Sequence, residues 1–181
     1  EPAPEPEPEV EAEPEPEPDP APFDDEDLEK IRAVQSIVAA AAAEHGVDPN
    51  LINGMIWVES KFDRKARGPA GAQGLMQLMP NTASAMAKQL GRKRNSYDPD
   101  FNIHAGTLLL ARLISRFDGD LDLAIAGYNR GSGVVAGWVR DGEPMPERTR
   151  NYVDRVLRAK TWFEHLPDTA VGGESSPSDG E

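Results

Sequence analysis

Few residues of this 181-residue chain are placed to do chemistry, and Glu59 stands out by its surroundings. It follows Met55-Ile56-Trp57-Val58, which puts an ionisable carboxyl on the apolar face of a short helix, near its C-terminal end. Low dielectric and the negative end of the helix dipole both disfavour a carboxylate, so the setting predicts a raised pKa. A carboxylic acid kept protonated near neutral pH can protonate a leaving oxygen, including the oxygen of a glycosidic bond. The competing reading places Glu59 at a surface helix end, paired with Lys61 or Arg64, and periodicity alone favours it.

Other chemistries lack their residues. There is no Cys, hence no thiolate zinc site and no thiol nucleophile, and neither a Walker loop nor a dinucleotide-binding glycine pattern occurs. His45, His104 and His165 lie far apart without paired ligand spacing and read as surface or capping histidines rather than ligands. No metal and no cofactor are therefore expected. No motif supports Ser-His-Asp chemistry. Asp63, the acidic residue nearest to Glu59 along the chain, reads as a loop or capping residue.

The elements that must hold Glu59 are helical. From 27 to 44, Leu28, Ile31, Val34, Ile37, Val38 and Ala41 recur at helical spacing, with Gly46 as C-cap. Asp48-Pro49 is an N-cap followed by Pro at the first helical position, and the helix it opens sets Ile52, Met55, Ile56 and Glu59 on one face. A Gly/Pro-rich loop covers 63–74. Asn81 or Thr82 caps a short helix to 89, and further helices cover about 100–117, 121–128 and 149–164, the last with Tyr152, Val153, Val156, Leu157 and Ala159 inward. Gly131, Gly133 and Gly137 punctuate the stretch before it. Period-two alternation is confined to 75–79, so the expected fold class is all-α with at most a very small β-hairpin.

Charge divides the chain into three. Residues 1–30 hold 14 acidic residues and one basic, residues 31–163 hold 18 basic and 13 acidic, and residues 164–181 add five acidic residues and no Lys or Arg. The body is thus mildly basic, as suits an anionic polymer, although an ordinary surface excess is an equal alternative. Residues 1–26, dominated by Glu-Pro alternation, are expected to be an acidic, extended or disordered spacer. Residues 27–166 are expected to form the one folded domain, which holds Glu59, and 167–181 a disordered acidic tail. No run of 18 apolar residues exists, so no transmembrane helix is expected within the chain. The first residue is Glu, not Met, which leaves room for a removed signal or a membrane anchor upstream of residue 1.

Four segments around and beyond Glu59 decide between its two readings. Glu59-Ser60 with Gly68-Pro69-Ala70-Gly71-Ala72-Gln73-Gly74-Leu75-Met76-Gln77-Leu78-Met79-Pro80 resembles the central signature of the soluble lytic transglycosylase family. Asp98-Pro99 with Asn102-Ile103-His104-Ala105-Gly106 is similar to its second segment, Ala126-Gly127-Tyr128-Asn129-Arg130-Gly131 to its Tyr-Asn motif, and Thr149-Arg150-Asn151-Tyr152-Val153 to its Thr-Arg-Asn-Tyr-Val motif. They follow the family's order and cover about residues 47–160.

The resemblance implies a lysozyme-like helical domain with a groove for the alternating GlcNAc–MurNAc polymer. It implies non-hydrolytic cleavage, in which the MurNAc C6 hydroxyl attacks its own anomeric carbon and leaves a 1,6-anhydro end. A lone carboxyl suits this reaction. Hydrolases usually need two, whereas here the substrate's N-acetyl group can support the cationic centre while Glu59 acts first as acid and then as base. Carried over by position, Ser60, Gln77, Met79, Tyr128, Asn129 and Tyr152 bind substrate. Gln77 and Met79 line the groove, the Tyr128 hydroxyl lies close to Glu59 and the N-acetyl group, Asn129 holds the loop or a sugar hydroxyl, and Tyr152 packs beneath the site. Met76 and Leu78 alternate away into the core.

Two departures from the family pattern stand out. Gly68 replaces a frequent Ser, removing a hydroxyl, and Arg148 stands where Glu usually precedes the last motif, with Glu147 one residue earlier. Arg130, in place of Ala, could meet a peptide-stem carboxylate or simply face solvent. The expected partner is peptidoglycan in the periplasm or cell envelope of a bacterium, with a monomeric enzyme and no nucleic acid; Arg92-Lys93-Arg94 lacks interleaved aromatics. A goose-type lysozyme-like hydrolase and a weakly active peptidoglycan-binding module remain the alternatives.

Overall fold

The computed structural model describes residues 19–167, which carry eight α-helices and no β-strand. Most of the acidic spacer and nearly all of the acidic tail lie outside the described residues.

The helix expected over 27–44 is two helices, α1 (Asp25–Arg32) and α2 (Gln35–His45). The break falls at Ala33 and Val34, where Val34 leaves helical geometry at φ −123°, ψ 1°. Neither residue is Gly or Pro, so nothing in the sequence marks it. α1 begins before residue 27 because Asp24 forms a capping box with Asp27, its side chain accepting from the Asp27 N–H at 2.8 Å. Phe23 is also part of the folded body. Its ring packs edge-on against Trp57 at 4.7 Å between centroids and lies 5.0 Å from Phe163.

α3 (Pro49–Ser60) starts as expected, with the Asp48 carboxylate accepting from the Asn50 N–H at 2.9 Å. Its first seven residues after Pro49 and Asn50, Leu51 through Trp57, are all buried, so this is a central helix rather than an amphipathic surface one. It lies along α8 (Glu147–Glu164), its principal partner in the fold. Gly54 permits the approach: a Cβ there would stand 2.8 Å from the Lys160 backbone nitrogen and 3.0 Å from the Val156 carbonyl oxygen.

After the loop comes α4 (Pro80–Leu90), opened by Pro80 at its first position; its cap residue is Met79, with no side-chain cap from Asn81 or Thr82. α5 (Pro99–Arg116) is capped by Asp98, and α6 (Leu121–Arg130) by Asp120. The glycine-punctuated stretch is a helix too, α7 (Ser132–Asp141), which buries Val135 and packs against α6. Packing overrides the low propensity of its glycines here.

The main core joins α2, α3, α5, α6 and α8, and a smaller cluster of Leu78, Ala83, Met86, Ala87, Phe101 and Ala105 lies under α4. Tyr128 packs against both. None of the described helices is long and apolar enough to cross a membrane.

Candidate active site

Glu59 is the next-to-last residue of α3, and Lys61 ends the helix in the left-handed conformation at φ 50°. The helix-end salt bridge does not form: among the described residues no cation lies within ion-pair distance of Glu59, and Lys61 instead sits over the Trp57 ring at 5.2 Å. The carboxyl turns towards α8, where the Tyr152 hydroxyl donates a short hydrogen bond to Glu59 Oε1. Burial raises the Glu59 pKa above its ordinary value of 4.5, while the Tyr152 donor and the positive charge of Arg155 oppose the rise. The net direction is upward, as expected of a proton donor. Burial and the nearby Glu59 charge also hold both Tyr128 and Tyr152 well above the usual tyrosine range, so both hydroxyls remain protonated donors.

Both tyrosines lie near Glu59, and the direct hydrogen bond to it comes from Tyr152 rather than from Tyr128. Tyr152, expected to pack beneath the site, holds the catalytic candidate directly. Tyr128 lies close enough to feel the Glu59 charge, but its hydroxyl donates to the Met76 carbonyl at 2.8 Å and so supports the loop. Which hydroxyl reaches Glu59 depends on how α8 docks on α3, and no local motif encodes that.

The loop between α3 and α4 is folded by its own side chains. Gly68, Gln73 and Leu78 make its backbone links: Gln73 and Leu78 exchange N–H···O bonds of 3.0 and 3.1 Å, and the Gly68 N–H donates to the Ala72 carbonyl at 2.9 Å. The expected hairpin reduces to isolated bridges, Arg67 with Gln73 and Gln73 with Leu78. Met76 and Leu78 are buried as expected, but Leu75 is buried too and Gln77 has φ 47°, so a turn rather than strand pleating sorts the side chains. Ser60 and Gln77 spend their donors on this loop. The Ser60 hydroxyl lies 2.7 Å from the Leu75 carbonyl, and the Gln77 amide nitrogen reaches the Gly74 and Ala66 carbonyls at 2.9 and 3.2 Å. Met79 is 41% exposed at the start of α4.

Asn102 is the positioning residue that the motif reading passed over. Buried on α5, it accepts from the Met76 N–H at 2.7 Å and donates to the carbonyls of Gln73 and Ser96 at 3.0 and 2.8 Å. Gly74, at φ 78°, leaves it room: a Cβ would fall 2.5 Å from Asn102 Nδ2. Asn102 was legible as part of a segment, but its three bonds cross 6 to 29 residues and only the fold shows them. At Gly68 a Cβ would lie 2.2 Å from Gln77 Oε1, so a serine there would require the flexible Gln77 amide to turn aside.

Beside Tyr152 opens a cleft of about 690 Å³, walled by Pro69, Ala70, Asn129, Arg130, Arg148 and Arg155 among others. Asn129 and Tyr152 thus face one space. The cleft's wall contains three arginines and no carboxylate, and Glu59 meets it through Tyr152. Arg155 is a second residue missed from sequence. It lies three positions after Tyr152 on α8, with its guanidinium 5.9 Å from that ring, a spacing that helical periodicity could have flagged.

The histidines need correction. His104 is buried, only 7% exposed, and its ring meets His45 edge-on at 5.6 Å, so these two are neither surface residues nor far apart in space. His165 does cap, with Nδ1 2.8 Å from the Thr161 carbonyl at the end of α8.

The model of the transglycosylase SLT domain matches residues 36–149. The chain belongs to the transglycosylase SLT family. It is 36% identical over 121 residues to the transglycosylase of Enterobacteria phage PRD1, covering 67% of this chain and 40% of that one. It is 32% identical over 124 residues to the soluble lytic murein transglycosylase of Salmonella typhimurium, covering 60% of this chain and 19% of that protein. Among solved structures, an inactive mutant of lytic transglycosylase Slt from Pseudomonas aeruginosa matches with TM-score 0.66 and 32% identity, over 77% of this chain and 25% of that one. The 70 kDa soluble lytic transglycosylase of Escherichia coli matches with TM-score 0.65 and 25% identity, over 75% and 25%. The all-α architecture is therefore shared with these enzymes, and the chain spans well under half the length of these relatives.

Proposed function

We propose that this SLT-family chain is a lytic transglycosylase that cleaves the MurNAc–GlcNAc β-1,4 bond of peptidoglycan without water. The observation that carries this reading is the half-buried carboxyl of Glu59, raised in pKa and held by Tyr152, whose ring lines a cleft with no carboxylate in its wall. Protonated Glu59 gives its proton to the glycosidic oxygen, the C1–O bond breaks, and the N-acetyl carbonyl supports the positive charge at C1. The resulting carboxylate takes the proton of the C6 hydroxyl as that oxygen bonds to C1. The products are a free GlcNAc 4-hydroxyl and a 1,6-anhydroMurNAc end, and Glu59 recovers its proton. Tyr152 steadies the carboxylate half of this cycle and burial favours the acid half. A raised but not extreme pKa serves both.

Peptidoglycan places the enzyme in the cell envelope, with a periplasmic enzyme acting on glycan strands as a monomer. Asn129, Gln77 and Met79 are the proposed sugar contacts, with Ser60 and Tyr128 acting through the loop that they hold. Mass spectrometry of digested sacculi tests the reaction: anhydro ends are expected, and new reducing ends carrying an added water would instead make it a hydrolase of the goose-lysozyme kind. Glu59→Gln separates catalysis from mere wall binding. The variant is expected to lose about 10²- to 10⁴-fold in turnover, the range for removing a positioned acid/base.

A further inference from the structure

The end of α2 and the first turns of α5 bring together a second group of reactive side chains, none of which lines the cleft. Glu44 and His45 close α2, and His104 lies near the start of α5. The Glu44 carboxylate faces both rings, with Oε2 3.1 Å from His104 Nδ1 and Oε1 3.9 Å from His45 Nε2. Those two ring nitrogens are shut off from solvent and neither makes a hydrogen bond, although Glu44 stands beside both. Two desolvated imidazole nitrogens turned to one carboxylate and left unbonded are costly, and a third body placed between them would remove the cost.

We propose that Glu44, His45 and His104 form a binding site for a divalent transition-metal ion, with Zn²⁺ the best match to the donors. Imidazole and carboxylate donors suit Zn²⁺, Cu²⁺ and Ni²⁺ and disfavour Mg²⁺ and Ca²⁺, which take oxygen ligands. The three donor atoms lie within 4.8 Å of one another. Donors each about 2.1 Å from a tetrahedral ion stand roughly 3.4 Å apart, so the site must close by about an ångström. The Glu44 side chain, 56% exposed, can supply part of that movement, and rotation of the two imidazole rings supplies the rest. The other nitrogen of His104, Nε2, looks towards Asp100 Oδ1 at 3.7 Å, one turn earlier on α5. A carboxylate behind a ligating histidine fixes its tautomer and raises its basicity. Arg92 pairs with Asp100 and holds that carboxylate in place. Three protein donors leave the fourth position to a water on the Glu44 side, and the ion would fasten the end of α2 to the start of α5.

The test uses the whole chain stripped of metal with EDTA. Titration with ZnCl₂ by calorimetry is expected to show one ion per chain, with a rise in Tm in parallel melts. Co²⁺ in its place is expected to give the visible absorption of a tetrahedral nitrogen/oxygen site. His45→Gln and His104→Gln are each expected to weaken Zn²⁺ binding by about 100-fold or more, and Asp100→Asn by about tenfold. His165→Gln, at the end of α8, should change nothing. Melting in EDTA shows whether each variant folds, and where His104→Gln does not, His45→Gln at the end of α2 decides. Absence of stoichiometric binding, binding that survives His45→Gln, or binding lost in His165→Gln would each overturn the proposal.

Discussion

In the proposed mechanism the Glu59 carboxyl governs both rate and stability, and the two respond oppositely to its removal. Because its folded pKa is raised above 4.5, the protonated form favours the fold. That contribution is fully present below the unfolded value and is lost as pH rises through the folded one. Glu59→Gln removes the burden of a half-buried charge, so the variant should melt higher than the parent at pH 7, with the difference shrinking in acid. A scan of Tm against pH for the two proteins checks this, and a Glu59→Gln variant less stable at pH 7 would contradict the raised pKa. Tyr152→Phe acts in the other direction on the pKa. It removes a donor that favours the carboxylate, so the limb of the pH–rate profile that marks loss of the acid should move to higher pH, and the base step should slow. Glu59 drew attention in the sequence as an acid among Met55, Ile56 and Trp57, but that pattern alone favoured a helix-end ion pair, and the four motif segments turned the reading to an acid. The tyrosine that serves it was not legible, since Tyr128 and Tyr152 lie in comparable motifs and only the docking of α8 distinguishes them.

Among the elements, the α3–α8 pair is the one on which the site depends. Glu59 and its donor sit on opposite members of that pair, and Gly54 sets how closely they approach. Gly54→Ala gains about 1 kcal/mol of helix propensity but puts a methyl 2.8 Å from backbone on α8. Backbone cannot rotate away as a side chain can. The expected net effect is a loss of about 1–3 kcal/mol, read by urea unfolding, together with reduced cleavage in the fraction that remains folded. Helix existence was readable where a capping residue and apolar periodicity agreed, as at Asp48 for α3 and in the run from Tyr152 to Ala159 for α8. It failed at Val34, where a break carries no breaker residue, and over 132–141, where glycines hid a helix that packing against α6 maintains. The pairing of His45 with His104 is a third case. Two histidines 59 positions apart carry no ligand spacing, and only the packing of α2 on α5 makes them neighbours.

On the scale of the whole molecule the charge is segregated. Residues 1–18 carry eight acidic residues and no basic one, while the cleft wall presents Arg130, Arg148 and Arg155. An acidic segment in the same chain competes for that wall with any anionic polymer, and salt screens both attractions. Removing residues 1–18 should therefore strengthen binding to sacculi at low ionic strength, with the gain fading as salt is added. Co-sedimentation of the 181-residue chain and its shortened form with sacculi over a salt series measures it, and equal binding at low salt would show that the segment does not compete for the cleft.

The seat of Phe23 has a mechanical consequence. Its ring is wedged against Trp57 and Phe163, so the folded body begins at the junction of α3 and α8. Tension applied through the segment before it enters the protein at Trp57, two residues before Glu59 on the same helix. A pull strong enough to unseat Phe23 would thus be passed to the helix that carries Glu59, the proposed acid.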